Sequence, residues 1–577
     1  MQKKKVFLIG AAILVGGCLL FCGVRAQKQK SRMREEALNT RQEVSLTAFV
    51  QQSTTTESGI WQGWGAQKLY EDTNIKLELY PTGDAVEKKL MQYISAGTMP
   101  DIIGFRDLNQ AQMAMDAGVL LPLEQYSEKL PSIFKTKAYE NAISYYREND
   151  NNGSGSLYIM PTSIGPVSYN AYNWVPLLQW GTYKEIGEPK IETLEDYLDV
   201  VEQMVAKKPV TDTGEKVYGF SLFTDWDKYS ALEIASLSYF YGIDTEYVSS
   251  LMETNVITKE TNSILSEDSF YKRALKFYFM ANQRGLLDPD SMTQTYSKLE
   301  NKFSQGRVMF SWFSWLTGTY NSVSSGNVNN EENADGYASV LASDMKIYEA
   351  PDQVIGRNWY FAISKNCKNI DKACEFLNWL YDPEVESYLY NGPEGSVWEY
   401  DKKGEPYVTE EGWNIINRQS EDLMPGEQAG SFLDGTYAFN AIGMQASTIM
   451  EDGYPISYRY WPSTLSNDKT LMEKEVLGRM ESETLAEYLY EKNMIAKSTI
   501  AVNMIPALTN DMESQISRIG EVVRNYSWKM VYAADEEEFE SLWASLVQET
   551  SELGMGQVEQ YYQSAWETAL KKAEQYE

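Results

Sequence analysis

The stretch Tyr93-Ile94-Ser95-Ala96-Gly97-Thr98-Met99-Pro100-Asp101-Ile102-Ile103-Gly104-Phe105 carries the end of one helical pattern into the start of a strand. Apolar residues recur at helical spacing over 85–96, and Gly97 is a natural C-terminal stop. After Pro100 and Asp101, the run to Phe105 reads as a short buried strand. Upstream, Val44-Ser45-Leu46-Thr47-Ala48-Phe49-Val50 is β-branched and partly alternating, the mark of a first strand, and 75–80 alternates again. Between these two a Ser/Thr-rich loop at 53–58 leads into a helix carrying Trp61 and Trp64. Strand, helix, strand, helix, strand predicts a parallel sheet with helices on both faces. Such sheets bind ligands in crevices at the carboxyl ends of their strands.

Further along, the spacing predicts helices over 193–207 and 271–283, the second stopping at Gly285. Residues 217–223 read as a strand. Residues 303–313 read as a helix end, a turn at Gly306 and an apolar strand. The segments 367–380, 471–493, 512–529 and 536–574 are mostly helical in pattern. No internal repeat and no low-complexity segment interrupts the body. The whole reads as one long α/β body with late helices.

The 577 residues are 43% apolar and 13% aromatic, enough to bury large cores. With 51 Lys and Arg against 82 Asp and Glu the net charge is −31, which repels nucleic-acid phosphates and anionic lipid. Partners of those two kinds are therefore set aside. The chain has no histidine, so Ser-His-Asp and Cys-His catalysis and His-based zinc sites are excluded. Of four cysteines, Cys18 and Cys22 lie in the N-terminal apolar segment. Cys367 and Cys374 remain, too few for a tetrahedral site and spaced unlike a redox pair; buried free thiols are expected.

Lys3, Lys4 and Lys5 precede an apolar run from Val6 to Val24, the charged and apolar regions of an export signal. Val15-Gly16-Gly17-Cys18 resembles a bacterial lipobox, in which Cys18 would be lipidated. Two alternatives stand beside it: cleavage after Val24-Arg25-Ala26, and an uncleaved apolar helix, since about 20 apolar residues span a bilayer. All three place the body outside the membrane, and a lipid-anchored lipoprotein is the expectation.

The order of motifs resembles the extracellular solute-binding protein family 1, in particular its large lipoproteins that serve ABC sugar importers in Gram-positive bacteria. Residues 93–103 are similar to the family's "SG-x-x-PD-I" element, and Ala117-Gly118-Val119-Leu120-Leu121-Pro122-Leu123 to its "aG-x-l-x-pL" turn. Leu157-Tyr158-Ile159-Met160-Pro161 resembles "lY-x-x-P", and Gly285-Leu286-Leu287-Asp288-Pro289 resembles "kGl-x-dP". Gly306-Arg307-Val308-Met309-Phe310 stands where the family has "Gka-x-m". Ile363-Ser364-Lys365-Asn366-Cys367-Lys368 and Ala373-Cys374-Glu375-Phe376-Leu377-Asn378-Trp379-Leu380 are similar to its late strand and helix. Gly392-Pro393-Glu394-Gly395 resembles an element of the large members. It is the shared order over about 44–570 that carries the resemblance.

The resemblance implies a two-lobed α/β fold of the type II periplasmic-binding-protein kind. Each lobe would be a mostly parallel sheet flanked by helices, with additional C-terminal helices. A hinge would close the lobes over ligand in the cleft. Residues 1–26 would be the signal peptide or lipoprotein anchor, 27–43 a polar tether, 44–165 the first part of lobe one and 166–350 mainly lobe two. Residues 351–577 would supply the late strand, hinge and C-terminal helices packing on both lobes. The chain departs from the family where Gln179-Trp180-Gly181 replaces an Arg-Asp-Trp. It departs again where 210–218 and 148–159 lack the carboxylates of a calcium loop. No metal and no cofactor are expected.

Sugars present apolar ring faces edged by hydroxyls, so a receptor needs aromatic platforms and planar polar side chains. Fifteen Trp and forty Tyr supply platforms, although most must be core. Position selects Trp61 and Trp64 after the first strand, with core packing as the alternative. Arg106 and Asp107 stand at the carboxyl end of the 102–105 strand, a pair that would bind hydroxyls or form a surface salt bridge. Asp225 and Trp226 end the 217–223 run. Trp312 and Trp315 close the 308–313 strand and are the leading pair. Trp359 precedes the late strand, with hinge packing as its alternative.

The reading is a monomeric ABC-importer receptor that captures a carbohydrate, an oligosaccharide in preference to a monosaccharide, and passes it to permease subunits. A peptide or other small polar solute is the alternative ligand. An adhesion or sensing receptor of the same fold is the alternative role. A glycan-cleaving enzyme would need two carboxylates roughly 5–9.5 Å apart. Among 82 acidic residues such pairs occur by chance, so the reading is a binding protein and not an enzyme.

Overall fold

A computed structural model describes residues 43–51, 59–80, 86–149, 154–167, 172, 174–245, 251–357, 359–425, 430–435, 439, 442–467, 469–506 and 508–576. The signal, lipobox and Cys18 readings lie outside the described residues, as do most of the tether and the 53–58 loop. No described helix is long and apolar enough to cross a membrane.

The chain divides into two units, each assembled from three segments. Unit 1 takes 1–164, 356–446 and 456–458; unit 2 takes 165–355, 447–455 and 459–577. The late part of the chain is thus shared out. The helices Ile370–Leu380, Pro383–Asn391 and Glu410–Asn417 belong to unit 1, and every helix after Arg459 belongs to unit 2.

In unit 1 the first strand, Val44–Val50, is buried along its second half and lies parallel to Ile75–Leu79 and to Ile102–Phe105. Asp101, just before the latter, ties it to the first strand. Its carboxylate accepts from the Thr47 amide and hydroxyl, both at 2.9 Å. The helix Val86–Ala96 ends as its sequence requires, with Gly97 at φ +62° and the Thr98 amide reaching back to the Tyr93 carbonyl at 3.2 Å. Beyond Ile102–Phe105 the sheet turns antiparallel, through Tyr360–Ile363 and then Met160–Pro161.

Unit 2 is centred on Trp174–Gln179, which pairs antiparallel with Phe310–Phe313 on one side and Tyr337–Ser339 on the other. The expectation of a mostly parallel sheet therefore needs correcting in strand direction: this sheet is antiparallel and that of unit 1 is mixed. The run 217–223 is not a continuous strand either. It is held by isolated parallel bridges, Tyr218 to Val308 and Phe220 to Leu287. Its ladder breaks at Gly219, where the amides of Gly219 and Phe220 both donate to the Leu286 carbonyl, at 2.9 and 3.0 Å.

Beneath it Asp288, wholly buried, pairs with Lys302 at 2.5 Å and accepts from the Ser221 hydroxyl at 2.6 Å, so neither charge is left without a partner. The helices Asn510–Val531 and Glu536–Glu552 start at side-chain caps: Thr509 accepts from the Met512 amide and Asp535 from the Glu538 amide. Cys367 and Cys374 are buried free thiols, pushed up to about 12 and about 11 by burial.

Candidate functional site

In unit 2 the loop after 217–223 presents an aromatic face. Asp225 accepts the Tyr296 amide at 3.0 Å at the start of the helix Tyr296–Ser304, which fixes Tyr296 beside Trp226. The two rings stack 4.7 Å apart and 14° from parallel, and Phe223 props the Trp226 edge at 5.0 Å. Trp226 is 44% exposed, more than any other tryptophan of the chain. A flat indole face beside a carboxylate is the arrangement that holds a sugar ring and one of its hydroxyls.

Next to this face lies a larger cluster around Trp174, at the start of the central strand. Trp174 stacks on Trp312 at 5.6 Å, lies over Tyr239 at 4.6 Å and meets Phe313 and Trp315 edge-on at 4.8 and 5.6 Å. Trp174 and Trp315 are half-buried. Trp312 is enclosed, and its indole N–H finds no partner among the described residues. The register shift between Ser311 and Phe313 turns it inward. Trp312, one of the leading pair, therefore supports the cluster from within.

Charge near the loop is set by burial. Asp227 is pushed up to about 6, chiefly by burial and partly offset by the N–H donors it accepts. Glu233, fully buried, accepts the Phe223 amide and is raised well above the usual carboxylate range by burial.

In unit 1 the carboxyl ends of Val44–Val50 and Ile102–Phe105 bring Gln51, Arg106, Asp107 and Gln110 together. The Gln51 amide donates to the Gly104 carbonyl at 3.0 Å, and its side-chain oxygen accepts the Arg106 amide. The Gln51 side-chain NH2 and the Gln110 side-chain oxygen are buried with no partner among the described residues. Arg106 is exposed. Asp107 caps the helix Leu108–Asp116 by accepting the Gln110 amide at 2.9 Å, so half of the expected charged pair is spent on the backbone.

The tryptophans of unit 1 fall differently. Trp64 is fully buried, its indole N–H on the Phe432 carbonyl at 3.0 Å. Trp61 is buried against Phe439 at 5.0 Å, its indole N–H on the Asp434 carbonyl at 3.2 Å. Both are packed into the core of unit 1, the alternative given for them, with Trp64 at the first position of the helix Trp64–Thr73 and Trp61 ahead of it. Trp359 is half-buried, and its carbonyl accepts the Thr162 amide at 3.0 Å.

Gln51, Trp174 and Tyr296 were not singled out by the sequence. Gln51 was within reach, since it directly follows the first strand at its carboxyl end. Nothing local marks Trp174 or Tyr296, which reach the cluster only through strand pairing and the Asp225 cap.

The profile of the bacterial extracellular solute-binding protein family matches residues 51–387, more than half of the chain. Among curated proteins none matches the sequence. Of similar solved structures, one is an HMO-binding, ABC-transporter-associated solute-binding protein from Bifidobacterium longum infantis. It shows 14% identity and a TM-score of 0.58 over 91% of this chain and 99% of that one. Another is the Streptococcus pneumoniae substrate-binding protein FusA in complex with kestose, at 14% identity and TM-score 0.58 over 92% and 100%. A third, the N-glycan transport protein NgtS of the same organism, has 15% identity and TM-score 0.53 over 92% and 99%. At these identities the likeness is one of fold.

Proposed function

The chain belongs to the bacterial extracellular solute-binding protein family, and from that premise we propose that it captures a carbohydrate, an oligosaccharide above all, for an ABC importer. The observation that carries this reading is the Trp226–Tyr296 pair, stacked at 4.7 Å, with Trp226 open to solvent and Asp225 at its edge. A sugar ring laid on that face loses apolar surface to water while its hydroxyls reach planar groups. The half-buried Trp315 and Trp174 extend the aromatic surface beyond one ring, which favours a ligand of several sugars. In unit 1, the Gln51 side-chain NH2, without a partner among the described residues, and the exposed Arg106 offer donors suited to hydroxyls.

Three similar structures support the same class, being described as HMO-binding, as a complex with kestose and as an N-glycan transport protein. In this reading no covalent bond is made or broken and the protein is a receptor, not an enzyme. Permease subunits are its partners, a lipid on Cys18 holds it at the outer face of the cell membrane, and it works as a monomer.

The test is the thermal unfolding midpoint of the whole chain against oligosaccharides, monosaccharides and peptides. A ligand at a hundred times its dissociation constant stabilises the native state by roughly 2.7 kcal/mol. We expect a shift with one oligosaccharide class, and a loss of affinity of about tenfold or more, some 1.4 kcal/mol, in Trp226→Ala. A shift with peptides alone would replace the sugar by a peptide. No shift with any solute would sink the importer reading in favour of adhesion or sensing.

A further inference from the structure

Unit 2 contains a concavity of about 760 Å3, walled by the loop 224–227 and by the helices Asn510–Val531 and Glu536–Glu552. Its charged lining consists of Asp227, Arg524, Lys529 and Glu538. What such a recess takes up depends on which of these groups are already engaged.

Both acids already accept hydrogen bonds within the protein. Asp227 accepts the Leu232 amide at 2.9 Å with one oxygen and the Trp528 indole N–H at 3.1 Å with the other. Glu538 turns back on its own helix start and accepts the Ala534 amide at 2.6 Å. The bases are not spent. Arg524 has no hydrogen bond or ion pair among the described residues, although the Asp227 carboxylate is near enough to feel its charge. Lys529 lies over the Tyr526 ring at 4.9 Å, a contact that leaves its ammonium protons free. Asn525, between them in sequence, lines the same recess.

In a chain of net charge −31, two cations with unused donors facing one recess stand out against the general balance. Their unmet capacity is entirely for donation. A guanidinium fork and an ammonium offered together match an oxyanion far better than a neutral hydroxyl.

We infer that this recess is an anion-accepting site, taking a carboxylate or sulfate group at Arg524 and Lys529. The volume has room for more than a bare ion, so an acidic saccharide is one source of that group and free inorganic anion is the other. The site stands on its own residues and does not depend on what the Trp226 face binds.

Calorimetric titration of the whole chain with sodium sulfate, a trigalacturonate and neutral maltotriose, at low and at high salt, tests it. The expected result is binding of trigalacturonate that falls about tenfold or more in Arg524→Gln, weakens with salt, and is partly restored in Arg524→Lys. Arg524-dependent binding of sulfate, with no preference for trigalacturonate, supports the site with free anion as its source. Anion binding unchanged in Arg524→Gln, in a variant whose unfolding midpoint shows it folded, overturns the inference. So does the lack of any anion binding at millimolar concentrations. In either case a maltotriose response that survives Arg524→Gln leaves the carbohydrate reading standing, so the two fail separately.

Discussion

The carboxyl of Glu386 is wholly enclosed in unit 1, where it accepts from the Tyr139 hydroxyl and, at 2.6 Å, from the Met444 amide. Burial pushes it up to about 8, against the pull of those two donors. Because the folded value lies above the unfolded one, the native state holds a proton that the unfolded chain gives up. Its contribution to stability is full below about pH 4.5 and is lost as the pH rises through 8. Asp227, pushed up to about 6, and Glu253, up to about 7, both chiefly by burial, act in the same direction. Glu386→Gln keeps an acceptor and removes the titration. Its urea midpoint should exceed that of the parent above neutral pH, by on the order of a few kcal/mol in unfolding free energy, and vary less with pH. Parallel pH profiles of the two proteins would refute this. Exposure sorts the tryptophans at the same scale: Trp226 is open at 44%, whereas Trp64 has no exposed surface, and no pattern of neighbours in the sequence separates them.

Two helical glycines show how an element answers to what packs against it. Gly478 in Leu471–Met480 has nothing within 4 Å of where a Cβ would stand. Gly412 in Glu410–Asn417 would place that Cβ 1.8 Å from the Val397 carbonyl oxygen. Helix propensity alone favours alanine at both by about 1 kcal/mol. Gly478→Ala should therefore stabilise by up to about that amount. Gly412→Ala should destabilise by about 1–3 kcal/mol, since a backbone oxygen must move. Chemical denaturation of the two variants reads the opposite signs directly, and equal signs would show the contact at Gly412 to be soft. Element starts were legible where a cap is local. Thr470 and Glu473 form a capping box at the head of Leu471–Met480. The pattern over 471–493 reads as mostly helical and does not show the break, where the chain turns left-handed at Glu481, φ +54°, and resumes as Leu485–Glu491. A single residue of positive φ leaves little trace in apolar spacing.

Neither unit is one continuous piece of chain. The strand Tyr360–Ile363 lies between Ile102–Phe105 and Met160–Pro161, so the first segment of unit 1 lacks an inner strand of its own sheet. Ile164 and Ser163 likewise take their backbone partners from Gly443 and Ile442. A fragment of residues 43–164 should therefore stay unfolded by far-UV circular dichroism and gain structure when 356–446 is supplied with it. Cooperative unfolding of the fragment alone would contradict that order of assembly. The unpaired backbone groups of Ile102–Phe105 have no substitute within the fragment.

Local chemistry sufficed for the α/β class, the first three strands, the Gly97 stop, the late helices and the family, because periodicity, caps and turns act over a few neighbouring residues. Asp225, Trp226 and the carboxyl end at Arg106 were singled out in the same way. Which aromatic ring faces water and which fills the core, the antiparallel sense of the second sheet, the stacking of Tyr296 on Trp226 and that of Trp174 on Trp312 were decided only by tertiary structure. Each of those depends on partners more than fifty residues away, whose burial and pairing leave no periodic mark on the chain.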